Sequence, residues 1–230
     1  YEIKKFDEEI VKMTGKKNPS FLFIAFTQKS ADAAEGYYSV ICKNFTALGC
    51  KCDHLREKDL QDMNIVYKKI TEANIIYVGG GNTLRLMNIL RKYHIDEMLR
   101  SVGEKGTILC GISAGAICWH NFGNSDSRKF TSNSNKLIKV TGLGFIPALY
   151  CPHYDNESAR QEDLKRMMKT TKGVALAFES CSALKIVENK YWVLKTKESA
   201  KAWKCYWHKG EYIKTELPTT GEVDCLITKN

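Results

Sequence analysis

Short apolar runs, separated by stretches of helical periodicity, constrain this chain more than any other feature. Phe21-Leu22-Phe23-Ile24-Ala25-Phe26 follows Pro19, and Ile75-Ile76-Tyr77-Val78 stops on Gly79-Gly80-Gly81. Thr107-Ile108-Leu109-Cys110 runs directly into Gly111. Runs this short and this apolar read as strands buried on both faces. Between them Tyr37, Ile41, Phe45 and Leu48 recur at helical spacing over Gly36–Leu48 and end on Gly49. Cys50–Leu55 reads as a further strand and Asp62–Ala73 as a helix, while Leu84, Leu86, Met87 and Leu90 stripe the next helix. Strands alternating with helices predict an α/β fold with a mainly parallel sheet. After Val174 the pattern changes: Val174–Phe178, Ala183–Val187, Lys190–Leu194 and Ala202–Trp207 are strand-like. Hairpin turns at Asn189-Lys190 and Lys209-Gly210 make this end antiparallel. With no repeat or linker, residues 1–230 read as one domain.

Composition limits the function classes. The 230 residues are 43% hydrophobic and 27% charged, ordinary for a globular protein. No apolar run reaches the roughly 18 residues of a membrane-spanning helix, so no membrane partner is expected. The start, Tyr1-Glu2-Ile3-Lys4-Lys5, lacks the apolar core of a signal peptide. The nine cysteines are irregularly spaced, with no paired zinc motif, and fit buried thiols in a reducing cytoplasm. The net charge of +9 comes from scattered lysines with no nucleic-acid-binding motif, so a solvated basic surface is expected and nucleic acid is not.

The chemistry centres on Gly111-Ile112-Ser113-Ala114-Gly115. Gly-x-Ser-x-Gly alone is weak: about 0.08 chance matches are expected in a chain of this length. The preceding strand and the helix-forming Ala114–Ile117 supply the strand–turn–helix setting of a nucleophile elbow. Ser113 is then a nucleophile, with the Ala114 N–H facing a developing oxyanion; the competing reading is a capped turn. In Gly79-Gly80-Gly81-Asn82-Thr83, Gly80 and Gly81 fit a second oxyanion donor, while Asn82 or Thr83 caps the next helix or meets substrate. Neither phosphate-loop pattern is present.

Among five histidines, His153 in Cys151-Pro152-His153-Tyr154-Asp155 follows an apolar segment, Ile146–Tyr150, and precedes a helix. Ligand sites of α/β folds lie at such strand ends. His120, if helical with Ser113, lies about 10 Å along the axis, too far to share a proton. His54, His94 and His208 read as surface or core residues. Glu179, ending the Val174–Phe178 strand, is the preferred acid, and Asp126 its rival; Asp155 and Glu157 lie too near His153 in the chain.

Tyr77–Thr83, Gly111–Ala116 and Pro152-His153-Tyr154, in this order, resemble the peptidase E family of serine peptidases, which contains aspartyl dipeptidases and has cyanophycinase as a relative. The resemblance extends from about Phe21 to Val187. It implies a flavodoxin-like, class I glutamine amidotransferase-like sheet with helices on both faces. It also implies Ser113 as nucleophile and His153 as base. A cyanophycinase-like arrangement uses Glu179 as acid, a dipeptidase-like one Asp126. Arg160 is the counterpart of an arginine that reads an aspartate in the substrate. Family members begin with a strand, whereas this chain opens on a polar helical segment, which implies a first strand upstream of Tyr1.

The expectation is therefore a cytoplasmic serine peptidase acting on small peptides, including dipeptides with an acidic first residue, without cofactor or metal. A homodimer is allowed. The competing readings are an esterase or amidase, and a catalytically silent small-molecule-binding or regulatory protein on the same scaffold.

Overall fold

The computed structural model describes residues 2–155 and 158–229, and divides them into two compact units. One is Asp7–Ala116; the other runs from Ile117 onward and includes the residues before Asp7.

The first unit is a βα repeat. In chain order it contains α1 (Lys4–Met13), β1 (Ser20–Ile24), α2 (Ala31–Ala47), β2 (Lys51–Leu55), a 3-10 turn (Glu57–Gln61), α3 (Met63–Glu72), β3 (Ile75–Val78), α4 (Thr83–Lys92), α5 (Ile95–Glu104) and β4 (Ile108–Gly111). The strands form one parallel sheet in the order β2-β1-β3-β4. Parallel neighbours need crossover helices, which explains the alternation in the sequence. Side chains alternate between the two faces of each strand. Phe21, Phe23 and Tyr77 join Ile41 and Phe45 of α2 on one face. Leu22 belongs to the other, where Lys69 of α3 reaches Asp53, the β2 partner of Leu22. Side-chain caps start α2 and α3: Ser30 Oγ accepts from the Ala33 N–H at 3.2 Å, and Asp62 from the Asn64 N–H at 2.9 Å.

The second unit opens with α6 (Ala114–Ile117, begun in the first), β5 (His120–Ser125), α7 (Arg128–Ser132), β6 (Ile138–Thr141), β7 (Ile146–Cys151), α8 (Ser158–Met168) and β8 (Ala175–Phe178). β9 (Ser182–Val187), β10 (Lys190–Lys195), β11 (Ala202–His208), β12 (Glu211–Glu216), β13 (Thr220–Glu222) and α9 (Val223–Ile227) follow. One sheet runs β12-β11-β8-β7-β5-β6, with β5, β7 and β8 parallel and the rest antiparallel. A separate antiparallel sheet runs β13-β10-β9. α8 packs Leu164 and Met168 against Leu149, Cys151, Ala175 and Ala177.

The mixed α/β class with an antiparallel C-terminal part is as expected. The Lys209-Gly210 turn has both residues at positive φ, 47° and 85°, as a two-residue hairpin of matching twist requires. The other hairpin turns one residue earlier than expected, on Glu188-Asn189, because Lys190 already pairs with Val187. β5 escaped the sequence reading. Its His-Asn-Phe-Gly-Asn-Ser sequence looks like a loop, but Asn124 and Ser125 are buried and hydrogen-bonded. His120 begins this strand, so the helix assumed to link it to Ser113 stops at Ile117. No helix among the described residues is long and apolar enough to cross a membrane.

Phe45 is fully buried, stacked on Phe21 with centroids 4.1 Å apart and edge-on to Tyr77 at 5.6 Å. Phe45→Ala is expected to lower stability by about 3–5 kcal/mol, read as a shift in the urea unfolding midpoint.

Candidate active site

The serine motif folds as a cramped turn between β4 and α6. Ser113 adopts φ 53°, left-handed for a non-glycine residue. Such backbone costs roughly 1–2 kcal/mol and persists only where its surroundings impose it. Here β3 imposes it. The Ile112 N–H donates to the Val78 carbonyl at 3.2 Å, and the Gly115 N–H turns back to the Ile112 carbonyl at 2.9 Å. A Cβ on Gly115 would overlap the Val78 carbonyl, and one on Gly111 would lie 2.6 Å from both that oxygen and the Gly115 oxygen. Both motif glycines are thus demanded by close backbone approach. Ala114 is the first residue of α6, so its N–H has no acceptor within the helix.

The glycine loop after β3 lies beside this turn. A Cβ on Gly80 would sit 3.3 Å from both the Ser113 Cβ and the Ile112 carbonyl oxygen. The Gly80 N–H is not open: it donates to the Tyr37 hydroxyl at 3.1 Å. Burial raises the Tyr37 pKa, keeping that hydroxyl protonated. The Gly80 carbonyl accepts from Thr27 Oγ1 at 2.6 Å and Gln28 Nε2 at 2.9 Å. Gly81 has φ 135°, a region closed to other residues. Asn82 caps α4, its Oδ1 accepting from the Arg85 N–H at 3.1 Å, and both Asn82 and Thr83 are buried. Asn82 is thus committed to the start of α4, and Thr83 is packed into its first turn.

The second unit holds the histidine and both candidate acids. His153, at φ 53°, follows β7, and the Tyr154 N–H donates to the Phe178 carbonyl at 3.0 Å. Cys151 pairs with Ala177, and beyond it the register slips by one residue at His153, since it is the Tyr154 N–H that bonds to the Phe178 carbonyl. Gly123 pairs with Tyr150 on the other side of β7, and Asp126 directly follows the end of β5. Glu179 Oε2 accepts from the Lys201 N–H at 2.9 Å, and Oε1 from Trp203 Nε1 at 3.0 Å. The Asp126 carboxylate lies 3.6 Å from Lys129 Nζ. Asp155 Oδ1 accepts from the Ser180 N–H at 2.8 Å, pinning the turn after Glu179. Glu157 lies outside the described residues.

Arg160, on α8, is only 2% exposed; its Nη1 donates to the Asn124 carbonyl at 2.9 Å and to Asn124 Oδ1 at 3.1 Å. It therefore anchors α8 to the end of β5. His120 is buried and stacked on Tyr150 at 4.5 Å, a core position, and His54 is buried against Tyr38 at 4.8 Å. The sequence reading missed Thr27, Gln28, Lys201 and Trp203. Tyr37 was visible only as one member of a helical apolar stripe. Nothing local to these residues marks them, because each acts on a loop distant in the chain.

A parallel α/β sheet whose serine turns at left-handed φ into a helix, with a glycine loop beside it, defines an α/β protein of the flavodoxin-like class with a strand–turn–helix serine motif. The chain belongs to peptidase family S51, whose sequence profile matches residues 1–193. It is 32% identical over 155 residues to the uncharacterized peptidase YgaJ of Bacillus subtilis, covering 67% of this chain and 63% of that protein. It is 25% identical over 154 residues to peptidase E of Shewanella denitrificans, covering 66% of this chain and 60% of that protein. The chain thus spans under two thirds of the length of these relatives. In fold it is similar to a peptidase from an acI-B1 Actinobacterium, at TM-score 0.72 and 17% identity over 96% of this chain and 91% of that one. A putative peptidase E protein from Listeria monocytogenes is also similar, at TM-score 0.57 and 17% identity over 93% of this chain and 95% of that one.

Gly115→Ala cannot keep the turn, since its Cβ would meet the Val78 backbone. A loss of about 3 kcal/mol in unfolding free energy is expected, against a smaller loss of about 1 kcal/mol for Gly106→Asn, where the φ of 96° strains the backbone but no atom lies within 4 Å.

Proposed function

We propose that the protein is a serine peptidase acting on small peptides through an acyl-enzyme. The observation that carries this is the left-handed Ser113, held against β3 with the Gly80 backbone beside it. In this reading Ser113 Oγ attacks the peptide carbonyl carbon while His153 takes the hydroxyl proton. The tetrahedral oxyanion is met by the N–H groups of Ala114 and Gly81; Gly80, whose N–H already serves Tyr37, contributes close approach instead. The C–N bond then breaks, His153 protonates the leaving amine, and water repeats the sequence on the acyl-enzyme to release the acid. The chemistry requires no metal or organic cofactor.

Glu179 is the proposed orienting acid. Its carboxylate is fixed by Lys201 and Trp203, and each oxygen keeps a second acceptor position for an imidazole N–H. Asp126 is the second candidate, favoured by its place directly after β5, the other neighbour of β7, and by its surface ion pair with Lys129. A preference for an acidic first residue would draw on the positive charge of Arg160 in the first turn of α8. The nine free thiols suit a reducing compartment, which is the basis for proposing a cytoplasmic location.

A fluorophosphonate is expected to label the wild-type chain covalently and to leave Ser113→Ala unlabelled; equal labelling of both would sink the nucleophile assignment. Hydrolysis of a dipeptide panel that includes Asp-X, alongside simple esters and amides, separates a peptidase from an esterase or amidase. On the best substrate, Glu179→Gln should lower kcat by about 10³–10⁴-fold. If Asp126→Asn produces that loss and Glu179→Gln does not, Asp126 takes the role.

A further inference from the structure

The proposed oxyanion donor at Gly81 depends on the orientation of one peptide, and residues on a different loop hold that peptide. Resting on the serine-hydrolase reading above, we propose that Thr27 and Gln28 are positioning residues that aim the Gly81 N–H. The peptide joining Gly80 to Gly81 is planar and trans, so its C=O and N–H point in opposite directions. The carbonyl end is clamped: Thr27 Oγ1 donates to it at 2.6 Å and Gln28 Nε2 at 2.9 Å. Gln28 Nε2 also reaches Thr27 Oγ1 at 3.2 Å, so the two donors brace each other.

Clamping the oxygen fixes the Gly81 N–H on the side away from Thr27 and Gln28. A glycine pair would otherwise leave that plane free to flip, because Gly lacks the Cβ that restricts rotation. Three further contacts lock the frame. The Asn82 N–H donates to the Thr27 carbonyl at 3.2 Å, Arg85 Nε donates to the Gln28 carbonyl at 2.8 Å, and the Tyr37 hydroxyl accepts the Gly80 N–H at 3.1 Å. A Cβ on Gly81 would meet Thr27 Cβ at 2.9 Å and Gln28 Nε2 at 3.0 Å, so the clamp closes directly over the peptide. Thr27 is 2% exposed, which shields its hydrogen bond from competing water. An oxyanion donor stabilises the transition state only if it is already aimed before charge develops.

The test is the rate constant of fluorophosphonate labelling at Ser113, measured on folded protein at saturating and subsaturating probe. Thr27→Val keeps the side-chain shape and removes the hydroxyl; Gln28→Leu removes the second donor at a partly exposed position. Each should slow labelling about tenfold and the pair about a hundredfold, the pair reaching the lower end of the roughly 10²–10³-fold loss that follows removal of an oxyanion donor. Thr27→Ser should recover most of the Val loss. On a peptide substrate the same variants should lower kcat while leaving KM nearly unchanged. A residue that only supported the fold would lower the labelled fraction or the unfolding midpoint without changing the rate constant of the folded protein. Wild-type rates in both Thr27→Val and Gln28→Leu would overturn the positioning role while leaving Ser113 as nucleophile. Failure of the wild-type chain to label would overturn the hydrolase reading and this role together.

Discussion

The contact between the Ser113 turn and the end of β3 organises the rest of the first unit. The Val78 carbonyl lies where side chains on Gly111 or Gly115 would need to be, and it accepts the Ile112 N–H. That approach lets the chain leave β4 and enter α6 within two residues, at the cost of a left-handed serine. β3 can serve as the wall because it is central in the sheet, paired to β1 on one side and β4 on the other, with all four residues buried. The aromatic packing of Phe21, Phe45 and Tyr77 fixes β1 and β3 against α2, and so bears indirectly on the turn.

The glycine loop extends the same logic. Strand ends in a parallel sheet release their loops on one side, and the loops after β1 and β3 are bonded to each other there through Thr27, Gln28, Gly80 and Asn82. Three consecutive glycines would be a flexible segment if isolated. In the folded unit both the N–H and the carbonyl of Gly80 have partners, and Gly81 is confined to a conformation other residues rarely adopt. Flexibility in the sequence has become rigidity in the structure, supplied by neighbours rather than by the loop.

In the second unit, sheet register does the comparable work. Parallel pairing of β7 with both β5 and β8 brings His153 out after the strand that lies between the two strands preceding Asp126 and Glu179. The two acids have different surroundings. Glu179 is held by Trp203 of β11 and by the Lys201 N–H just before that strand, whereas Asp126 faces a partly exposed lysine. Arg160 illustrates the opposite outcome: a residue suited by type to bind a carboxylate is buried and anchors Asn124.

The sequence by itself determined the strand–helix alternation, the serine turn and the glycine loop. These depend on local rules: apolar runs bury, glycine permits close approach, and caps start helices. Boundaries such as Ile75–Val78 followed because a wholly buried strand must be apolar throughout. Only the tertiary structure decided how β5 folds, since a polar strand is buried when distant partners such as Arg160 and Asp163 satisfy it. It likewise decided that the Gly80 N–H meets Tyr37, and that Thr27 and Gln28 hold the carbonyl of a loop more than fifty residues away. Hydrogen bonds between loops carry no periodicity, so no pattern along the chain announces them.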